Sequence, residues 1–151
     1  MDRMRWRYGE TQPVVAAVDR DTIIQIGDLV CQEDDRAVPV SALSRGRPRY
    51  AGRVATAFLG VALQRSAFGN ASPIRVATAG VFEMDCEPTA WVLGDPVRVW
   101  FERMAGPALN RDQSVAKTEL AWQTIAYCAR REPEPAKSVL VEIRSAVMHR
   151  L

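Results

Sequence analysis

Residues 91–100 read WVLGDPVRVW, an apolar run broken by Gly94-Asp95-Pro96 and resumed by Val97 and Val99. Residues 23–32 read IIQIGDLVCQ, with the same Gly-Asp after apolar residues and the same Val two positions on. A turn written twice in this form implies a duplicated β unit. Gly reaches positive φ without a steric penalty, and Asp closes a turn onto its own backbone. Pro96 has no N–H to give a ladder, so it belongs at the first residue of a strand. Downstream the match continues. Val61-Ala62-Leu63 aligns with Ile125-Ala126-Tyr127, and Ile74-Arg75-Val76 with Val139-Leu140-Val141, at offsets of about 64 to 67 residues.

Around these turns the apolar rhythm has a period of two, the mark of half-buried strands. Val97, Val99 and Phe101 share one face opposite Arg98, Trp100 and Glu102, and Val139, Val141 and Ile143 alternate with Leu140, Glu142 and Arg144. Ile74 and Val76 stand opposite Arg75 and Ala77. FLGVAL, Phe58 to Leu63, has no charge on either face and predicts a strand buried on both sides. Gly69-Asn70, Gly80, Gly106-Pro107 and the loop Arg131 to Lys137 punctuate the runs. The spacing predicts an all-β fold, a small β-barrel or β-tulip-like domain built from two pseudo-repeated units at about 14–84 and 85–146, preceded by an N-terminal arm over 1–13. Two segments pull the other way. SVAKTELAWQTIAYCARRE, Ser114 to Glu132, is rich in helix formers, but the repeat makes Trp122 to Cys128 a strand and excludes a helix across the segment. Glu33 to Arg53 reads as a polar excursion in which VPVSAL contributes a short strand.

The chain of 151 residues is 48% apolar and 25% charged, the balance of an ordinary globular domain. A net charge of +2 is too small to imply nucleic-acid binding, and Lys117 and Lys137 are the only lysines. No run of 18 or more apolar residues exists, and the N-terminus lacks an apolar signal core. Cys31, Cys86 and Cys128 are odd in number and far apart, which fits a reducing compartment better than a disulfide framework.

Little in the chain reads as chemistry. A nucleophilic triad needs a His held within reach of a Ser or Cys, and the single His149 lies two residues from the C-terminus, where chain ends are usually frayed. Cys86 sits between Asp85 and Glu87, whose charges raise a thiol's pKa. Those acids and Asp34-Asp35 lack calcium-loop spacing, and neither zinc pairs nor a phosphate loop is present. No catalytic, cofactor-binding or metal-ligating residue is therefore expected. Two stretches read as contact surfaces instead: Arg5, Trp6, Arg7 and Tyr8 in the arm, and Arg45, Arg47, Arg49 and Tyr50 in the excursion, since Arg and aromatic residues are enriched at interfaces. The arm, as a clamp, would order only on binding. Trp6 packed on its own barrel is the alternative.

FLGVALQRSA, then IRVATAGVFEMDCEPTAWVLGDPVRVW, then the closing SVLVEIR resemble the head-decoration, or capsid cement, proteins of tailed phages and prophages, over roughly residues 14 to 145. The resemblance implies a non-enzymatic virion protein, made in the host cytoplasm. It would sit on the outer surface of an icosahedral shell, with the major capsid protein as partner and a homotrimer as its own assembly. No direct nucleic-acid or membrane contact is implied. Phe58, Trp91, Trp100 and Trp122 are more aromatic surface than one small core needs, which also points to self-association. The alternative reading is a small β-barrel nucleic-acid-binding module using the Arg45 to Arg53 cluster.

Overall fold

A computed structural model describes residues 2–43, 50–100 and 111–149, without the side chains of residues 50 and 51. The fold is all-β. In chain order the strands are β1 (Trp6–Tyr8), β2 (Val14–Ala16), β3 (Leu29–Glu33), β4 (Arg36–Pro39), β5 (Phe58–Ala62), β6 (Ile74–Ala77), β7 (Val81–Trp91), β8 (Pro96–Val99), β9 (Ser114–Lys117), β10 (Ala126–Cys128) and β11 (Glu132–Ile143). Among the described residues the helical ones are α1 (Tyr50–Ala57) and two single 3-10 turns, Val40–Ala42 and Ala121–Gln123.

The strands form two sheets of one topology. The first is ordered β2-β6-β5-β3-β4 and the second β7-β11-β10-β8-β9, with β1 added outside β7. Replacing each of β2 to β6 by its counterpart in β7 to β11 reproduces the second order, so the chain draws the same unit twice. In the second unit β9 also pairs with β7 in parallel, Asp85 opposite Ser114 and Cys86 opposite Val115, closing a five-stranded barrel. In the first unit the corresponding edges touch through one backbone bond, Ala37 N–H to Ala17 O at 2.8 Å, and the ion pair of Arg36 with Asp19.

Hydrogen bonds fix the equivalence residue by residue. Gly27 N–H donates to Ala62 O and Ala62 N–H to Asp28 O, both 2.9 Å. Gly94 N–H donates to Cys128 O at 2.9 Å and Cys128 N–H to Asp95 O at 2.8 Å. Further on, Leu63 N–H donates to Arg75 O, and Ala129 N–H to Leu140 O. The bridge Ile24 to Ser66 corresponds to the pair Trp91 to Glu132. These contacts correct the sequence alignment: Ala62 corresponds to Cys128, two residues beyond the partner assigned from apolar pattern. An alternating pattern matches itself at every shift of two, so only the hydrogen bonds decide. The second unit also starts at Val81, ahead of the boundary expected at residue 85.

Both turns are built alike. Gly27 and Gly94 have φ of +96° and +87°, and Asp28 and Asp95 each accept a bond from the N–H three residues back, Gln25 at 2.9 Å and Val92 at 2.8 Å. Pro96 opens β8, and Gly80, at φ +111°, turns the chain between β6 and β7.

Strand β5 is buried throughout because it faces two cores. Leu59 and Ala62 join Val30, Ile74 and Val76 inside the first unit. Phe58 and Val61 face the other way with Leu29 and Cys31, packing on Phe82, Met84, Trp91, Val97 and Val141 of the second. Phe58 and Trp91 are therefore core residues, and the aromatic surplus inferred from sequence is smaller than it looked.

Several local expectations change. Helix α1 occupies part of the excursion: YAGRVATA is Ala-rich, and buried Val54 anchors it to the larger core. The short strand there is Arg36–Pro39, and Val40–Ala42 makes a 3-10 turn instead. No helix spans Ser114 to Glu132; of the strand expected from Trp122 to Cys128, Trp122 lies in the second 3-10 turn and Ala126–Cys128 is strand.

The two turns differ in surroundings. A Cβ on Gly27 would lie 2.4 Å from Arg3 O, whereas one on Gly94 would meet nothing within 4 Å. Gly94→Ala should cost about 1 kcal/mol for its backbone conformation alone. Gly27→Ala should cost about 3 kcal/mol, since it must also displace residues 2–5. Urea denaturation of the two variants checks the difference, and equal losses would contradict the packing.

Candidate interaction surface

The N-terminal segment is bound to the rest of the chain rather than extending from it. Strand β1 pairs antiparallel with β7, Trp6 opposite Phe82 and Tyr8 opposite Val81. Alternation along the segment separates its two residue types. Arg5 and Arg7 turn to the acids of β7, while Trp6 and Tyr8 remain 41% and 51% exposed.

Arg5 is only 4% exposed, and each of its three guanidinium nitrogens donates a bond. Nε donates to Gln113 Oε1 at 2.6 Å, one terminal nitrogen to Glu83 O and Asp85 Oδ1, and the other to Asp85 Oδ2 at 2.9 Å. Gln113 passes the connection on, its Nε2 donating to Ile26 O at 3.1 Å and Asp28 Oδ1 at 3.0 Å. Arg7 Nε bonds Glu83 Oε1 at 3.0 Å, and Ser138 Oγ donates to Glu83 Oε2. At the start of the segment Asp2 accepts from Ile26 N–H and pairs with Arg65, and Arg3 N–H donates to Ile26 O. Above this seam lies a cleft of about 260 Å³ lined by Arg3, Arg5, Asp28, Asp85, Asp112 and Gln113. Asp112 is itself buried and clamps Ser41 through its N–H and hydroxyl, at 2.7 and 2.8 Å.

The sequence-derived contact residues thus divide. Arg5 is buried and Arg7 is paired, so both hold the arm. Trp6 and Tyr8 face solvent. Arg45, Arg47 and Arg49 lie outside the described residues, and Tyr50 opens α1. An arm that orders only on binding is corrected here: residues 2–8 are already docked, because buried Arg5 carries the segment's anchoring. The polar seam was missed in the sequence, where Asp85 and Gln113 stand far from Arg5.

The three cysteines are free thiols. Burial raises the pKa of all three thiols; for Cys86 the neighbouring charges of Asp85 and Glu87 add to it. A protonated thiol is a poor nucleophile. Among the described residues no group of three His, Cys, Asp or Glu could hold a metal, and no helix is long and apolar enough to cross a membrane. His149 lies in a cleft with Glu142 and Arg144. Compared with models of known protein families and with curated proteins, the chain matches none.

Two predictions test the seam. Arg5→Ala should cost about 2 kcal/mol, the scale of lost bonds to a charged group, and Arg5→Lys should recover little because one ammonium cannot replace the fork. Chemical denaturation reads both.

Asp28 supplies the second. Burial pushes its carboxyl above the ordinary 3.8, against the bonds from Gln25 and Gln113. The folded state therefore holds that proton more tightly than the unfolded chain. The resulting stability is full below the ordinary value and is lost as pH rises through the elevated one. Glu83 acts oppositely: its bonds from Ser138 and Arg7 hold it below 4.5, so its contribution is lost on acidification. Asp28→Asn should remove the loss of stability on the upward side and leave the acid limb intact, as measured by urea midpoints across pH.

Proposed function

We propose that this protein is a structural virion protein that binds the outer surface of an assembled icosahedral capsid and stabilises it, without catalysis. The observation that carries this reading is the N-terminal strand, with Trp6 and Tyr8 exposed on a segment whose backbone and arginines are already fixed. Preorganised aromatic side chains are efficient anchors, because little ordering entropy is lost when a partner covers them. The resemblance of IRVATAGVFEMDCEPTAWVLGDPVRVW to capsid cement proteins supports the same reading. The mechanism is additive. Many copies each bury modest area across joints between capsid subunits, so expansion of the shell must break all of them. Self-association, as a trimer, belongs to the proposal.

Nucleic-acid binding is less well supported. Arg3, Arg5, Arg7, Arg36, Arg53, Arg65 and Arg130 each stand in an ion pair with a carboxylate, which leaves them little to offer a phosphate.

Removing residues 1 to 8 is not a clean test, since it also strips the seam of Arg5. Trp6→Ala and Tyr8→Ala leave the seam of Arg5 intact, the first at the cost of one exposed bond from Trp6 Nε1 to Gly9 O. Each should weaken capsid binding by about 1 to 2 kcal/mol per copy while leaving thermal unfolding nearly unchanged. Occupancy is read by electron microscopy of particles assembled from the cognate major capsid protein and incubated with each variant. Full decoration by the double variant would exclude this strand as the contact, and no decoration by wild type would refute the function.

A further inference from the structure

The duplication places one contact in the first unit whose counterpart in the second is bare. In the first unit the Gly-Asp turn is covered by the chain's own residues 2 and 3. Asp2 Oδ1 accepts from Ile26 N–H at 2.8 Å, Asp2 Oδ2 pairs with Arg65 at 3.2 Å, and Arg3 N–H donates to Ile26 O at 2.8 Å. An aspartate and the next N–H thus saturate one residue of the turn and one arginine beside it.

The equivalences already drawn carry each element of this site into the second unit. Asp28 corresponds to Asp95, so Ile26 corresponds to Leu93. Leu63 corresponds to Ala129 and Ser66 to Glu132, which bracket Arg65 against Arg131. The second unit therefore keeps an arginine where the first uses one to hold a carboxylate. Arg131 is exposed and forms no ion pair among the described residues, and the Leu93 main chain makes no hydrogen bond there. Val92 and Leu93 are each 67% exposed, which gives the turn an apolar surface to cover.

We infer that the Gly94-Asp95 turn is a docking site for an extended segment of a partner polypeptide bearing an aspartate or glutamate. Its carboxylate accepts from Leu93 N–H and pairs with Arg131, and the N–H of its following residue donates to Leu93 O. The positive charge of Arg131 and the unmet N–H complement an acidic side chain, and Val92 supplies apolar contact beside it. The site does not depend on the partner being a capsid.

The probe is an acetylated peptide of sequence MDRMRW, which carries the aspartate of the first unit's cover, titrated into the isotopically labelled full chain. Binding should shift the amide signals of Val92, Leu93 and Gly94 and the side-chain signal of Arg131. Affinity should fall about tenfold for Arg131→Ala, and similarly for a peptide with Asn in place of its Asp, because a charge-assisted pair is lost. Arg131→Ala removes an exposed side chain, and unchanged spectra elsewhere verify its fold. Three results would overturn the inference: no shift at these residues with millimolar peptide, affinity indifferent to Arg131, or shifts confined to Ile26 and Arg65, which would mean exchange with the chain's own segment.

Discussion

Each half of this protein depends on a reciprocal backbone exchange between a Gly-Asp pair and a strand more than thirty residues later. Gly27 and Asp28 exchange bonds with Ala62, and Gly94 and Asp95 with Cys128. The glycine's positive φ aims the two peptide groups at one partner residue, and the Asp carboxylate holds the turn in that shape. The exchange sets the register of β3 on β5 and of β8 on β10, from which the other pairings follow. A slip by one residue would turn the apolar face of β10, Ala126 and Cys128, to solvent and exchange the residues that β5 gives to its two cores. It would also leave buried peptide groups unpaired, at about 1 to 3 kcal/mol each.

The two copies use the shared topology differently. The second has long strands, Val81–Trp91 and Glu132–Ile143, which curl far enough for β9 to reach β7 and close the barrel. In the first the equivalent strands, Val14–Ala16 and Ile74–Ala77, are short, and its interior is the smaller core. So small an interior would be marginal alone. The first unit therefore leans on the second, giving the outer face of β3 and β5 to the larger core. This explains a strand like Phe58–Ala62, apolar on both faces within an otherwise alternating sequence.

Most of the architecture was legible because it rests on local signals. Val139, Val141 and Ile143 alternate, Pro96 has one place it can stand in a strand, and a Gly-Asp written twice announces the duplication. Failures occurred where a local signal is degenerate or a partner is remote. The repeat alignment slipped by two residues because alternation cannot distinguish shifts of two. Helix α1 was hidden in a segment whose Pro48 and arginines read as loop. Trp122 satisfies a 3-10 turn and a strand about equally in composition, and packing against α1 decides: a Cβ on Gly52 would fall 2.6 Å from its ring. Arg5 is the clearest case. Beside Trp6 and Tyr8 it looks like one basic-aromatic contact motif, yet only a strand's alternation, together with Asp85 and Gln113 supplied from far along the chain, reveals that Arg5 turns inward.

That inward turn bears on how such a surface works. A guanidinium is costly to bury unless its nitrogens find partners, and all three nitrogens of Arg5 do, through four bonds on three residues. The arginine thereby ceases to be a sticky charge and becomes a structural pin. What the segment shows to solvent is two aromatic rings on a backbone already ordered, with its basic charges largely compensated by β7. A surface of that kind favours partners through apolar fit rather than through long-range attraction. Specificity then comes from where the rings are held, and what holds them is the seam between the two copies of the unit.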